Sequence, residues 1–307
     1  MYRRLLPSFM LISLLTWVAP IQVFAAVKSN SVPKKTVPMV QQKPGAEPFV
    51  PYPNEFASAV IMVPKTHQLL YSFKPDHSRV AASLTKLANA LAFIHARTMS
   101  WNKVVSLKKV DEVGGGRLRV KVGARLTVID LLYSSITASA NNAATALARI
   151  TQIGNMAFLK RMNQEVRLAG ALRSRFVDTS GMDPKNISTA RDIARIAEAA
   201  FKDPIIQKAA SADAYTFSIL NTGEKKTIKS TSLPLINDPD IDLIGGKTGY
   251  LLESKNNLVV EVRPANEDKA TAVKKDLIVV VMGAETKEGM FATAKRMAEW
   301  AWQNHEF

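Results

Sequence analysis

The sequence predicts an α/β (α+β) fold in which helices flank an antiparallel sheet and a mainly helical segment interrupts its strands. Strand-like apolar runs occur at 57–63 and 68–73, and strand periodicity returns only after residue 215. Between them, much of 128–201 places apolar side chains at the spacing of helices. We therefore expect a sheet built from both ends of the chain, with the helical region inserted between its strands.

The first predicted elements are a strand hairpin and a helix. Residues 57–63 are typical of a buried strand, Pro64-Lys65-Thr66-His67 of a turn, and 68–73 of a second strand. A helix is predicted from Ser83 to about Arg97, because apolar residues recur there with a period of about 3.6 residues. These residues are Leu84, Leu87, Ala88, Leu91 and Ile94.

The inserted region begins with short strand-like pieces at 104–122 and continues with helices. Three helical segments carry their apolar residues on one side, at 130–135, 142–150 and 158–169. Thr189 is predicted to cap a further helix, because Asp192 follows it three residues later.

The last part of the chain returns to strands and closes with a helix. A hairpin is predicted about Asn221-Thr222-Gly223, between 215–220 and 226–229. Further strands are predicted at 241–244, 257–262 and 277–282. The closing helix is predicted at 285–302, and we expect its apolar stripe to pack in the core rather than on a membrane.

Residues 1–26 are predicted to be a cleaved signal peptide. Arg3 and Arg4 precede an apolar run at 5–18, and small residues follow near Ala26. The alternative, an uncleaved anchor, is disfavoured because the run is shorter than the ~20 residues of a spanning helix. We therefore expect an exported, periplasmic protein with at most a loose association with wall or membrane.

The domain boundaries follow from composition. Proline and lysine are frequent in 27–54 and apolar periodicity is weak, which predicts a flexible linker. One domain is then expected at 55–307, with the helical insertion at about 98–210.

Composition excludes several kinds of chemistry. The 307 residues include no cysteine, which excludes disulfides, thiolate metal sites and a cysteine nucleophile. The four histidines lack the spacing of metal ligands, so no metal or cofactor is predicted. A net charge of +15 favours anionic partners, but the basic residues are dispersed and no nucleic-acid-binding motif occurs. Oligomeric state leaves no signature in the sequence.

The stretch Ala81-Ala82-Ser83-Leu84-Thr85-Lys86 places a serine and a lysine one helical turn apart. Residues at this spacing lie on one face of a helix, so the lysine amine can reach the serine hydroxyl and act as its base. The first N–H groups of the helix would stabilise an oxyanion beside the serine. Ser-x-x-Lys also begins at Ser31 and Ser106, but only the copy at Ser83 opens an apolar helix. We predict that Ser83 is a nucleophile activated by Lys86.

Two further motifs bring polar side chains to predicted loops. Ser139-Ala140-Asn141 lies between two helical segments, where it either projects into a cleft or caps a helix. Lys247-Thr248-Gly249 is the only Lys-Thr-Gly in the chain and follows Gly245-Gly246. Its amine and hydroxyl suit a carboxylate, while a turn between strands is the plainer interpretation.

The order and setting of these motifs resemble those of the low-molecular-mass, active-site-serine D-alanyl-D-alanine carboxypeptidases, a penicillin-binding family of the serine β-lactamase superfamily. The resemblance covers roughly residues 55–300. It includes Asp130-Leu131-Leu132, Asp178-Thr179-Ser180-Gly181-Met182 and Ser188-Thr189-Ala190-Arg191-Asp192. The fold it implies is a five-stranded antiparallel sheet flanked by helices, with an inserted helical subdomain.

The resemblance implies the catalytic roles. Ser83 would attack the carbonyl between two D-alanines, and Lys86 would accept its proton. That role requires a lysine pKa well below the ordinary ~10.4, which either nearby charge or desolvation would produce. Lys247, across the cleft, is the candidate for the charged neighbour. Ser139 would relay a proton to the leaving amine.

The resemblance also implies the substrate-binding residues. Asn141 would hold the substrate amide and orient Lys86. Lys247, Thr248 and Gly249 would recognise the terminal carboxylate. The backbone N–H groups of Ser83 and Tyr250 would form the oxyanion hole.

The implied partners are peptidoglycan stem peptides, with β-lactam antibiotics as covalent inhibitors. We expect D-Ala-D-Ala carboxypeptidase activity, and cleavage of D-Ala–meso-diaminopimelate crosslinks by an endopeptidase is the first alternative. A serine β-lactamase and an inactive wall-binding protein are the others. The chain departs from the family's common pattern at Ala140, at Ser230-Thr231-Ser232 and at 250–256, which border the cleft and bear on substrate preference.

Overall fold

The structure is a computed structural model that describes residues 38–307. The predicted signal peptide and the linker as far as residue 37 lie outside the described residues. Within the described part, no helix has both the length and the apolarity needed to cross a bilayer.

A five-stranded antiparallel sheet is the centre of the fold, in the order β10-β11-β12-β2-β3. Its strands are β2 (Ser58–Met62), β3 (Leu69–Phe73), β10 (Ile241–Leu251), β11 (Lys255–Pro264) and β12 (Leu277–Ala284). Since β2 and β3 come from one end of the described chain and the other three from its last third, the predicted sheet is confirmed. The numbering counts every strand, and the remaining eight are short.

Both faces of the sheet are buried, because alternate residues of its strands point to opposite sides. On one face, Val60, Val259 and Val280 pack with the helices of the insertion. On the other face, Ile61 and Val279 pack with the closing helix α9 (Lys287–Asn304). The sheet therefore lies between two helical layers, as the sequence predicts.

The inserted region is mainly helical. After α1 (Thr85–Ala96), its helices are α2 (Val128–Ile136), α3 (Asn141–Ile150), α4 (Asn155–Leu168), α5 (Ala190–Phe201) and α6 (Pro204–Ser211). Thr189 caps α5 by accepting the Asp192 N–H, as predicted. The short α7 (Leu233–Ile236) and α8 (Lys269–Ala272) follow later.

Small strand pairs complete the fold. They are β1 (Gln41–Gln42) with β13 (His305–Glu306), β4 (Arg79–Val80) with β7 (Ile187–Ser188), β5 (Val104–Ser106) with β6 (Arg125–Thr127), and β8 (Ala214–Ser218) with β9 (Lys225–Lys229). The β8–β9 hairpin turns at 219–224, which includes the predicted turn residues.

The predicted linker is wrong for residues 38–54, which pack against the domain. β1 pairs with β13, and Phe49 is buried, with its ring edge-on to Tyr71 and Trp300. Trp300 also donates its indole N–H to the Glu47 carbonyl. Backbone pairing and two well-separated buried apolar residues, Val40 and Phe49, together hold a segment whose composition is that of a linker.

The third motif lies within a strand rather than in a turn. β10 runs without interruption through Gly245-Gly246-Lys247-Thr248-Gly249. A Cβ atom at Gly245 would lie 2.8 Å from ring atoms of Phe201, and one at Gly246 would lie 2.9 Å from Ser232 Oγ. These glycines therefore admit side chains of neighbouring elements to the strand.

Replacing Gly245 with alanine should destabilise the fold by about 1–3 kcal/mol, because the Phe201 ring has to move. Urea denaturation measures the effect, with Gly116→Ala as the control, since a Cβ there meets nothing closer than 3.7 Å. In a double-mutant cycle, Phe201→Leu should relieve more than about 0.5 kcal/mol of this cost. Strict additivity would contradict the proposed steric cause.

Candidate active site

The structure brings the three motifs into one cleft of about 540 Å³. Ser83 lies in the short 3-10 helix Ala82–Leu84 that precedes α1. Ser139 lies in the loop between α2 and α3, and Lys247 lies in β10. The cleft is lined by the predicted residues Ser83, Ser139, Asn141, Thr248, Gly249 and Tyr250. Lys86 and Lys247 are completely buried beneath it.

Close backbone contacts fix the position of Ser83. Ala82 has a φ of +48°, which is uncommon for a residue with a side chain. A Cβ at Gly181 would lie 2.1 Å from the Ala82 carbonyl oxygen, and a Cβ at Gly249 would lie 3.1 Å from the Ser83 nitrogen. The segment that carries the serine is therefore held between two glycines from distant parts of the sequence.

Three hydrogen-bonding partners surround the amine of Lys86. Its Nζ lies 2.7 Å from Ser83 Oγ, 2.6 Å from Asn141 Oδ1 and 2.6 Å from the Ser180 carbonyl oxygen. A neutral amine has two N–H groups and one lone pair. Because both carbonyl oxygens can only accept, they take the two N–H groups, and the lone pair remains for the Ser83 hydroxyl proton.

Burial lowers the pKa of Lys86 to about 7, because the charged form loses its hydration. The carboxylate of Asp178 acts in the opposite direction. Burial also lowers the pKa of Lys247 well below its ordinary value, and the charge of Lys86 lowers it further. Of the two causes expected from the sequence, desolvation by burial is the largest at both amines, and an effect of one amine's charge on the other is found only at Lys247.

Lys247 links the second and third motifs. Its Nζ donates to Ser139 Oγ at 2.8 Å and to the Thr248 carbonyl oxygen at 2.8 Å. Ser139 has a φ of +58°, a second left-handed residue beside the cleft. The Ser139 hydroxyl thus contacts one buried amine, while Asn141, two residues later, contacts the other.

The remaining predicted residues line the cleft above the two amines. Asn141 uses its Nδ2 to donate to the Gly114 carbonyl at 2.9 Å, a contact that orients the amide. Thr248 donates its hydroxyl to Thr231 Oγ1 at 2.8 Å. Tyr250 is 61% exposed, so its side chain is available at the mouth of the cleft.

Three contributors were not assigned a role from the sequence. The Ser180 carbonyl binds Lys86, and Asp178 holds that loop by accepting the N–H groups of Ser180 and Gly181 at 2.7 and 2.6 Å. Thr231 positions the Thr248 hydroxyl. The pattern Asp178-Thr179-Ser180-Gly181 is typical of an Asx turn, which is the signal that would have indicated this loop.

Metal ligation has no structural basis in the described part of the chain. Across residues 38–307, no group of three or more histidines and acids is arranged to hold a metal ion.

This fold is of the kind found in penicillin-binding proteins and DD-peptidases. A D-alanyl-D-alanine carboxypeptidase from Mycobacterium tuberculosis superposes with a TM-score of 0.72 at 23% identity, over 86% of this chain and 96% of that one. Residues 50–286 match the D-alanyl-D-alanine carboxypeptidase family. The chain belongs to this family.

Relatives with two kinds of name match the chain. D-alanyl-D-alanine endopeptidases of Pseudomonas aeruginosa and Escherichia coli are 27% and 31% identical. These matches cover 94% and 79% of this chain, and 87% and 76% of the relatives. A D-alanyl-D-alanine carboxypeptidase of Bacillus subtilis is 26% identical over 82% of this chain, but only 64% of the relative is covered.

The Lys86 amine should titrate near pH 7. NMR of the lysine side-chain carbons measures this directly, and Lys86→Gln identifies the signal by its loss. Asn141→Asp is the matched variant, since it puts a carboxylate in place of the amide 2.6 Å from Nζ and should raise the pKa by about 1–3 units. A wild-type midpoint above 9 would contradict the burial argument.

Proposed function

We propose that the protein is an exported serine D-Ala-D-Ala carboxypeptidase that removes the terminal D-alanine of peptidoglycan stem peptides through an acyl-enzyme at Ser83. One observation carries the proposal: a buried amine of low pKa lies 2.7 Å from a serine hydroxyl at the floor of an open cleft. Family membership gives the substrate class, and the predicted signal peptide supports export.

Acylation follows from the arrangement of Lys86. The neutral amine takes the Ser83 proton as Oγ bonds to the carbonyl carbon between the two D-alanines. Asn141 and the Ser180 carbonyl then hold the new ammonium, since both accept hydrogen bonds. The proton passes to the departing amine nitrogen by way of Ser139, whose hydroxyl contacts the second buried amine, Lys247.

The charge that develops on the carbonyl oxygen is stabilised by backbone donors. The N–H groups of Ser83 and Tyr250 serve as the oxyanion hole in this proposal, and loss of one such donor typically costs about 10²–10³ in rate. Free D-alanine leaves with that proton, so Lys86 is neutral again. Lys86 then takes a proton from the water that attacks the acyl carbon, and the bond between that carbon and Oγ breaks. Reprotonation of Oγ by Lys86 completes the cycle.

The terminal carboxylate of the substrate binds at Lys247 and Thr248. A carboxylate beside a buried amine favours its charged form, so binding raises the pKa of Lys247 and converts it into an ammonium. The Thr248 hydroxyl, which donates to Thr231 Oγ1 without substrate, would turn to donate to the carboxylate instead. Gly249 leaves room for the substrate backbone along β10.

A second candidate function is the endopeptidase that cuts D-Ala–meso-diaminopimelate crosslinks. The relatives named endopeptidases are matched over more of their length than the Bacillus subtilis carboxypeptidase, which favours this alternative. A β-lactamase and an inactive wall-binding protein have less support. The complete Ser83–Lys86 pair disfavours the inactive protein, and the segment between the second and third motifs has no obvious acid to activate a deacylating water.

Fluorescent penicillin should label the wild-type protein covalently and fail to label Ser83→Ala. Ser106→Ala, in another Ser-x-x-Lys copy of the described domain, is the control and should label normally. Because only neutral Lys86 accepts the proton, the labelling rate should rise on the order of tenfold from pH 6 to pH 8. Equal labelling of wild type and Ser83→Ala, or none of either, would refute the assigned nucleophile.

Digestion of purified muropeptides should release D-alanine and leave stem peptides one residue shorter, as measured by mass spectrometry. Ser83→Ala is the negative control. Dimers converted to monomers would instead identify the endopeptidase, and rapid turnover of penicillin would identify a β-lactamase. If enzyme that fluorescent penicillin labels leaves the muropeptides unchanged, both peptidase functions are contradicted.

A further inference from the structure

A second hollow of about 930 Å³ adjoins the cleft. The two cavities share three lining residues, Gly115, Gly116 and Ala138. The residues common to both cavities are two glycines and an alanine, so the cleft and the hollow are neighbours across a part of the surface with small residues. A ligand in the cleft that extends past these residues would reach the hollow.

The hollow is basic. Arg117 and Arg119 line it, and Lys226 reaches its rim by donating to the Arg119 carbonyl at 2.5 Å. The one acid in its lining, Glu112, lies 3.7 Å from Arg117 and accepts from Asn142 at 2.9 Å. Among residues 38–307, no carboxylate lies within ion-pair distance of Arg119.

The loop between the cleft and the hollow also contacts a residue of the active site. Gly115 has a φ of +65°, and a Cβ there would lie 2.7 Å from both Asn141 Nδ2 and Met182 Sδ. The same loop supplies the Gly114 carbonyl that orients Asn141. The loop that carries Arg117 and Arg119 is thus packed directly on the amide that contacts Lys86.

We propose that the hollow binds a second stem peptide, crosslinked to the one in the cleft, through carboxylates held by Arg117 and Arg119. The inference rests on the proposed function, which supplies the substrate class. A single stem peptide needs only the cleft. A crosslinked dimer brings a second chain with free carboxylates of its own, and the contiguous basic hollow has the volume and the charge to hold it.

The expected gain in affinity for a crosslinked dimer over a monomer is modest but measurable. Each solvent-exposed arginine–carboxylate pair contributes about two- to fivefold in affinity. Two such pairs should make a crosslinked dimer bind on the order of tenfold more tightly than the matching monomer. Because the pairs are exposed, this preference should shrink as salt is raised from 50 to 500 mM.

Binding is measured on Ser83→Ala, which holds substrates without acyl transfer. Purified disaccharide-peptide monomers and D-Ala–meso-diaminopimelate crosslinked dimers are titrated by calorimetry. The test variant adds Arg117→Gln and Arg119→Gln, and the control adds Arg175→Gln, an exposed arginine that lines neither cavity. In the double arginine variant, the affinity for the dimer should fall about fivefold or more, and the affinity for the monomer should not change. In the control, neither affinity should change.

The outcomes separate the inference from the proposed function. Equal affinity of monomer and dimer, or equal losses for both ligands in the arginine variant, overturns the second-peptide site while the peptidase remains. Absence of binding by either muropeptide refutes the proposed function and the site together. A dimer preference that disappears in the arginine variant and in high salt supports the site.

Discussion

The uncharged amine of Lys86 is the constraint on which the rest of the cleft depends. An amine removed from water needs partners for its N–H groups, and a charged one would need much more compensation. Asn141 at the start of α3 and the Ser180 carbonyl supply these partners from separate elements. The helical insertion therefore contributes to the chemistry directly, because it carries the acceptors that leave one lone pair for the serine.

Steric contacts as well as hydrogen bonds determine where the nucleophile lies. Gly181 and Gly249 approach the backbone on either side of Ser83, and neither position has room for a Cβ without displacement. The left-handed Ala82 is maintained by this packing. These two glycines therefore help to position Ser83, although neither has a reactive group.

The sequence predicts the parts of the site that depend on side-chain type, and it does not predict those that depend on the backbone. Side-chain chemistry at Ser83, Lys86, Ser139, Asn141 and Lys247 was visible in the sequence, because each residue type suits its contact. The Ser180 carbonyl was not, since every residue has a carbonyl and only the folded loop selects this one. Desolvation was one of the two expected causes of the Lys86 pKa shift, but the sequence could not rank it above nearby charge, because burial is a property of the whole fold.

The fold was predicted where periodicity is strong and missed where it is weak. The hairpins, the helices and the sheet built from both ends follow from repeating apolar positions. β10 was interrupted in the prediction because two successive glycines usually mark a turn, whereas here they admit Phe201 and Ser232. Residues 38–54 were assigned to a linker because proline and lysine are frequent there and apolar periodicity is weak.

That segment has a practical consequence for anyone who trims the protein. A recombinant version begun at residue 55 would lose Phe49 and expose the aromatic faces of Tyr71 and Trp300 to water. It would also leave β13 without its pairing strand. Such a fragment would expose an apolar surface to water and would tend to self-associate. A recombinant version should therefore keep residues 38–54.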